Sequence, residues 1–201
     1  MSKYGNIQVV VFDGRGVNPM LADWLGNFPH VERAGSTVGS VVPDTVASRR
    51  NRAIRWFLEY TELPDVLMLD DDMVPVRGTD ALLESDADVA AARYIRKDGH
   101  EVHADDGEGG CGCMKISRNA LERIEPPWFA FEFSDDGCEV KSCECGYFSS
   151  KARGAGFHPV KSGVIGHVVP VVVLPAESEG SSCRMKFLPE FRRGLPAPDG
   201  A

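Results

Sequence analysis

Val66-Leu67-Met68-Leu69-Asp70-Asp71-Asp72-Met73 is an apolar run that ends in three consecutive carboxylates. A short strand that is apolar at every position is buried on both faces, the condition of a strand inside a sheet covered by helices. In open α/β sheets ligands sit beyond the carboxyl ends of such strands, so these acids fall where chemistry is expected. Adjacent carboxylates repel one another. A hard divalent cation, Mn²⁺ or Mg²⁺, would neutralise them through oxygen ligands and would in turn hold phosphates. The same residues could equally form an acidic turn or a helix N-cap, where Asp is common.

Outward from this strand, sheet and helix patterns alternate. Ile7-Gln8-Val9-Val10-Val11-Phe12 reads as another buried strand, and Asp13-Gly14-Arg15-Gly16 as a loop able to approach a ligand closely. Met20, Leu21, Trp24, Leu25 and Phe28 recur at helical spacing, which predicts an amphipathic helix over 19–28; a strand is expected over 30–34. Pro43-Asp44-Thr45 opens a helix that Val46, Arg50, Ala53, Ile54, Phe57 and Leu58 carry down to Tyr60, ahead of Pro64. Arg49, Arg50, Arg52 and Arg55 place cations on it, some to face phosphates or the acids and some to form a solvated face.

Beyond Met73 a short helix is expected over 79–85, a strand over 88–94 and a polar, Gly-rich loop over 97–110. Cys111-Gly112-Cys113-Met114-Lys115-Ile116 returns to strand character, and Ser117 caps a helix reaching Ile124. A strand over 130–133, a turn over 134–137, a helix over 144–154 and two closing strands, 157–160 and 164–169, complete the pattern. The fold class is α/β, a mixed sheet flanked by helices. One domain is expected over 1–175, with a loosely packed tail rich in Ser, Gly, Pro and charge over 176–201.

The formal charge of -8 disfavours a nonspecific nucleic-acid binder, which needs a basic face to neutralise phosphates. No apolar stretch is long enough to span a bilayer, and no signal-peptide pattern precedes the first strand, so cytoplasmic residence is the expectation. Reduced thiols follow for the six cysteines. Cys111, Cys113, Cys143 and Cys145 could supply four thiolates to a structural Zn²⁺, although the spacing is Cys-x-Cys rather than the usual Cys-x2-Cys.

The order of these features resembles the GT-A glycosyltransferases, especially small bacterial and phage members related to glycosyltransferase family 2. The resemblance spans 7–173. It is carried by Arg50-Asn51 followed by Leu69-Asp70-Asp71-Asp72-Met73, by Gly110-Cys111-Gly112-Cys113 before Pro127-Trp128-Phe129, and by Glu144-Cys145-Gly146 followed by Gly166-His167. It implies a GT-A, Rossmann-like sheet and metal-dependent transfer of a sugar from a nucleotide-diphosphate donor, a UDP- or GDP-sugar, to an acceptor hydroxyl.

It also implies roles. Asp70 and Asp72 match the outer acids of a DxD motif, and with His167 they would hold Mn²⁺ or Mg²⁺. Asp13, Arg50, Asn51, Asp70 and Asp71 would meet the nucleotide. Family relatives take the acceptor proton with the Asp of a Glu-Asp pair, where this chain reads Glu144-Cys145. Glu144 could serve instead or could only orient the acceptor, Asp135 or Asp136 could reach in from the preceding turn, or the chain could be a retaining or inactive relative; a thiol is too weak a base. Trp128 and Phe129 suit either stacking on the acceptor or plugging the core. Two other classes fit the residues as well: a zinc-stabilised, cysteine-rich binding module without catalysis, and a Mg²⁺-dependent nucleotidyl- or phosphotransferase, the latter weakened by the absence of a phosphate-loop motif.

Overall fold

A computed structural model of the chain describes residues 3–14, 16–35, 45–95, 101 and 110–168, and the backbone of 171–173 and 185–187. In chain order the elements are β1 (Ile7–Phe12), α1 (Pro19–Leu25), β2 (Val31–Arg33), α2 (Val46–Tyr60), β3 (Asp65–Asp70), β4 (Met73–Pro75), α3 (Asp80–Leu83) and β5 (Val89–Arg93). These are followed by β6 (Cys113–Ser117), α4 (Arg118–Arg123), β7 (Glu132–Phe133), β8 (Val140–Ser142), α5 (Glu144–Gly154), β9 (Val160–His167), β10 (Val171–Val173) and β11 (Met185–Phe187).

Seven strands form one sheet in the order β2-β1-β3-β6-β5-β9-β4. β1 runs parallel to β2 and to β3, and β5 parallel to β9; β6 is inserted antiparallel between β3 and β5, and β4 lies antiparallel to β9 at the edge. Because side chains alternate along a strand, β1 sends Val9 and Val11 into one layer and Val10 and Phe12 into the other. Leu21, Leu25 and Leu82 from α1 and α3 complete the first layer. Ile54, Phe57, Leu121 and Phe148 from α2, α4 and α5 complete the second. Helices on both faces explain why β1 is buried throughout and apolar except at Gln8, and why the middle of β3 is apolar without interruption.

Three of the helix starts have a local cause. Asn18 precedes Pro19 and its side chain accepts the Leu21 N–H; Thr45 does the same for Ser48 and Ser117 for Ala120. α2 buries Ala47, Arg50, Ala53, Ile54 and Phe57, one stripe at helical spacing.

Several elements depart from the sequence expectations, among them α1, β9 and β4. α1 stops at Leu25, and Phe28 instead packs in the core, stacked on Tyr4. The two closing strands are one, β9, which bends at Gly163 with φ +72°; a Cβ there would lie 2.9 Å from the Gly78 carbonyl oxygen and the Leu82 nitrogen. β4 has no counterpart in the sequence pattern, yet it reverses the chain through Asp71-Asp72 and pairs Met73 with His167. Pro43, Asp44 and Arg15 lie outside the described residues, as does the expected 176–201 tail apart from β11, which pairs antiparallel with β10.

Candidate active site

The carboxyl ends of β1 and β3, the Asp71-Asp72 turn, the end of β9 and the first turns of α2 and α5 meet at one edge of the sheet. The β4–β9 register makes the decisive contact: it sets Asp72 Oδ2 3.3 Å from His167 Nε2, with the two side chains only 16% and 11% exposed. His167 Nδ1 lies 3.0 Å from the Ile95 carbonyl oxygen. A carbonyl can only accept, so Nδ1 carries the proton when the ring is neutral, and the Nε2 lone pair is turned toward the Asp72 carboxylate. Two acceptors facing each other call for a proton or a cation between them. Ligands side by side on a hard cation at about 2.1 Å from each stand about 3 Å apart, so this oxygen and nitrogen fit one ion.

Asp70 is used differently. Its carboxylate oxygen Oδ1 accepts from Arg50 Nη2 at 2.9 Å. Arg50 is 1% exposed, with its guanidinium 4.7 Å from the centre of the Phe12 ring and 5.9 Å from that of Phe129, and its Nε and Nη1 have no partner. Burial pushes the Asp70 carboxyl above the ordinary range; Arg50 pulls against that shift, while Asp72 and Asp71 add to it. Among the described residues, Asp70, Asp72 and His167 do not form a group whose ligand atoms all lie within 4.8 Å of one another. Of the three expected ligands the structure thus brings Asp72 and His167 side by side, while one oxygen of Asp70 is held by Arg50.

Several other expected site residues have structural partners. Asp71 points inward, and its Oδ2 accepts the Gly14 N–H at 2.8 Å. Together with Asn18, which donates to the Asp71 and Met73 carbonyls, it ties the loop after β1 to the acidic turn. Asn51 is bound to the Phe129 backbone, donating to its carbonyl at 2.7 Å and accepting its N–H at 3.0 Å. Asp136 closes its own turn by accepting from Ser134 Oγ and from the Cys138 N–H. These bonds hold its carboxyl below the ordinary range, which suits a base poorly. Trp128 donates Nε1–H to the Leu121 carbonyl and both it and Phe129 are buried, so the core reading of this pair is the correct one.

Asp13 stays at the rim, where its Oδ1 accepts the Gly16 N–H at 2.7 Å and Arg33 stands 3.9 Å away. Beside it, between β2 and α2, a cleft of about 510 Å³ is lined by Glu32, Arg33, Arg49, Arg52 and Trp56 among others. Arg49 Nε and Nη1 are buried there without a partner.

Glu144 opens α5, where its carboxylate and the thiols of Cys143 and Cys145 lie within 4.8 Å of one another. Cys113 does not join them: it belongs to the opposite core layer from Cys111 and Cys145, and burial pushes its thiol far up. The four-cysteine set read from the sequence is thus divided between the two faces of the sheet. Two members of the site had no sequence signal, the Ile95 carbonyl and Tyr94, whose hydroxyl accepts the Gly112 N–H and whose ring meets His167 edge-on. Asn18 could have been found from its place ahead of Pro19.

The sheet order and the inserted antiparallel strand give a Rossmann-like α/β fold, consistent with the GT-A fold. The chain is similar to the crystal structure of A197 from STIV, with a TM-score of 0.57 and 22% identity over 81% of this chain and 86% of that one. A second likeness is to a glycosyltransferase involved in the glycosylation of the major capsid of PBCV-1, with a TM-score of 0.35 and 15% identity over 60% of this chain and 68% of that one. The first likeness establishes the fold; the second is too slight to add to it. No family matches the sequence, and neither does any curated protein. Among the described residues no helix is long and apolar enough to cross a membrane.

Proposed function

We propose that this chain is a metal-dependent glycosyltransferase that moves a sugar from a nucleotide-diphosphate donor to an acceptor hydroxyl. The single observation that carries the reading is the Asp72–His167 pair, in which a carboxylate oxygen and an imidazole lone pair converge at 3.3 Å beyond the carboxyl end of β3. Mn²⁺ or Mg²⁺ held by these two residues would stabilise the charge that accumulates on the departing diphosphate.

The chain's own residues do the rest. The Ile95 carbonyl fixes the His167 tautomer, and Tyr94 supports the ring from the side. Arg50 acts from beneath the site as a positioning residue that holds Asp70, leaving Asp70's second oxygen for the donor's ribose. Asp13 and the cleft with Arg33, Arg49 and Trp56 offer a carboxylate, cations and an aromatic face suited to a nucleotide. With Asp136 turned into its own loop, Glu144 is the carboxylate we assign to the acceptor, as base or as anchor for its hydroxyl.

The test is thermal unfolding of the intact chain with UDP- and GDP-sugars, with and without Mn²⁺, for the wild type and for Asp72→Ala and His167→Ala. The expected result is a stabilisation that requires both the metal and the nucleotide sugar and that either substitution abolishes, together with a loss of transfer of at least about a hundredfold. Equal stabilisation of wild type and both variants would overturn the assignment. Stabilisation by nucleoside triphosphates and not by nucleotide sugars would replace it with nucleotidyl or phosphoryl transfer.

A further inference from the structure

Beside its buried stripe, α2 turns a second face toward β2. Arg49, Arg52, Ala53 and Trp56 recur at helical spacing and line one wall of the cleft of about 510 Å³. The β1–β2 register sets the other wall: Glu32 pairs with Val10, and Val10 packs in the layer that α2 covers, so Glu32 is directed to that same side of the sheet. Glu32 is exposed there, while Arg49 on the facing helix keeps Nε and Nη1 buried without a partner. A buried donor left unpaired is costly, so an acceptor entering the cleft is drawn to this guanidinium. A carboxylate, an unsatisfied guanidinium and an indole thus line a single cavity.

Such a set discriminates among nucleobases. Guanine carries two donors side by side, N1–H and the 2-amino group, and two acceptors side by side, O6 and N7. The two oxygens of a carboxylate match the first pair, and two N–H groups of a guanidinium match the second. Uracil presents one donor between two carbonyl oxygens, whose lone pairs would face the Glu32 carboxylate. Adenine presents one amino group between two ring acceptors, which leaves a carboxylate a single bond. The indole of Trp56 adds a stacking face that any base can use.

We propose that this cleft is a guanine pocket and that the donor is a GDP-sugar, an inference that rests on the glycosyltransferase reading and narrows its substrate. Glu32 accepts from N1–H and the 2-amino group, Arg49 donates to O6 and N7, and Trp56 stacks on the ring. The position of the cleft suits the length of a nucleotide. β1 lies between β2 and β3, so two strand spacings of about 4.8 Å each separate the β2 wall from β3. Asp13, at the end of β1 and 3.9 Å from Arg33, stands where a nucleotide reaching from the cleft to the acidic turn would pass.

The test is isothermal titration of the intact chain with GDP, UDP, ADP and IDP, whose base lacks the 2-amino group, each with and without Mn²⁺. GDP should bind at least about tenfold more tightly than UDP or ADP, with IDP between them. Glu32→Gln should cut the advantage of GDP over UDP by about tenfold and leave UDP binding nearly unchanged. Trp56→Leu should weaken all four alike, because stacking is indifferent to the edge of the base. Glu32 is exposed on the edge strand, so its variant leaves the core untouched, and it decides with the wild-type series if Trp56→Leu does not fold. Mn²⁺-dependent binding of UDP as tight as that of GDP, or tighter, would overturn the guanine pocket and leave the glycosyltransferase reading standing. A preference for GDP that survives Glu32→Gln would also overturn the pocket. Absence of binding by every one of these diphosphates, with Mn²⁺ and without, would overturn both.

Discussion

Arg50 and Arg118 serve opposite ends of α2, each with its guanidinium against a phenylalanine ring: Phe12 at 4.7 Å for Arg50 and Phe57 at 4.6 Å for Arg118. Arg118, at the amino end of the sheet, donates to the carbonyls of Phe57, Leu58, Thr61 and Leu63 and to the Thr61 hydroxyl, so it caps the last turn of α2. Arg50, at the carboxyl end, is the more deeply buried of the two and makes one ion pair, with Nε and Nη1 left over. A buried charge that is fully hydrogen-bonded belongs to the scaffold. One held with donors to spare is a departure from the rule that buried polar groups are paired, and such departures concentrate where a protein does something. The same contrast separates the two ends of the sheet. Buried Lys115 is satisfied by the Leu83 and Ser85 carbonyls, and Ser117 by Asp88, whereas the carboxyl end collects Asp70, Asp72, His167 and the thiols.

The largest effect on stability should therefore come from Arg118→Met. It keeps the apolar stem against Phe57 and removes the hydrogen bonds, for a loss of about 2–4 kcal/mol. In a chain of this size that is a fall in Tm on the order of 5–15 °C, measurable by calorimetry. Arg50→Met should cost less, about 1 kcal/mol or under, because removing two unpaired buried N–H groups offsets the lost pair with part-exposed Asp70. On the proposed function its effect should appear instead in nucleotide-sugar binding, as a weakening of at least about tenfold by isothermal titration, since Asp70 loses the group that holds it. Should Arg50→Met unfold the chain as readily as Arg118→Met, Arg50 is scaffold as well and the contrast fails.

The parts of this site that were legible in the sequence were those encoded in one segment. β1 is apolar but for Gln8, β3 is apolar over Val66–Leu69, and α2 shows its buried stripe, so the sheet and its acidic edge could be read directly. What could not be read was set by contacts between distant segments. β4 is three residues long, too short for any periodicity, yet its pairing with β9 is what carries His167 to Asp72. Asn51 looked available beside Arg50 until its amide proved to be bound to Phe129, distant in sequence. Cys111 and Cys113, two apart, would share one face of a strand, but β6 begins only at Cys113, and the turn before it directs Cys111 to the other layer.

The smallest predicted effect concerns an electrostatic burden at the amino end. Asp65 opens β3, and burial raises its carboxyl above the ordinary range, with Lys115 opposing the shift and Asp88 adding to it. A group whose pKa is higher in the folded than in the unfolded chain binds more protons when folded. Its contribution is therefore lost as pH rises from the ordinary carboxyl value through the raised folded value. Asp65→Asn removes that dependence, so in urea unfolding the variant should gain on the wild type between pH 4 and pH 7, and by less than either arginine substitution changes stability. The companion variant Lys115→Met takes away the opposing charge and should make the same loss steeper. A wild type that instead gains on Asp65→Asn as pH rises would mean that Lys115 outweighs burial, and that the amino end carries no electrostatic cost at all.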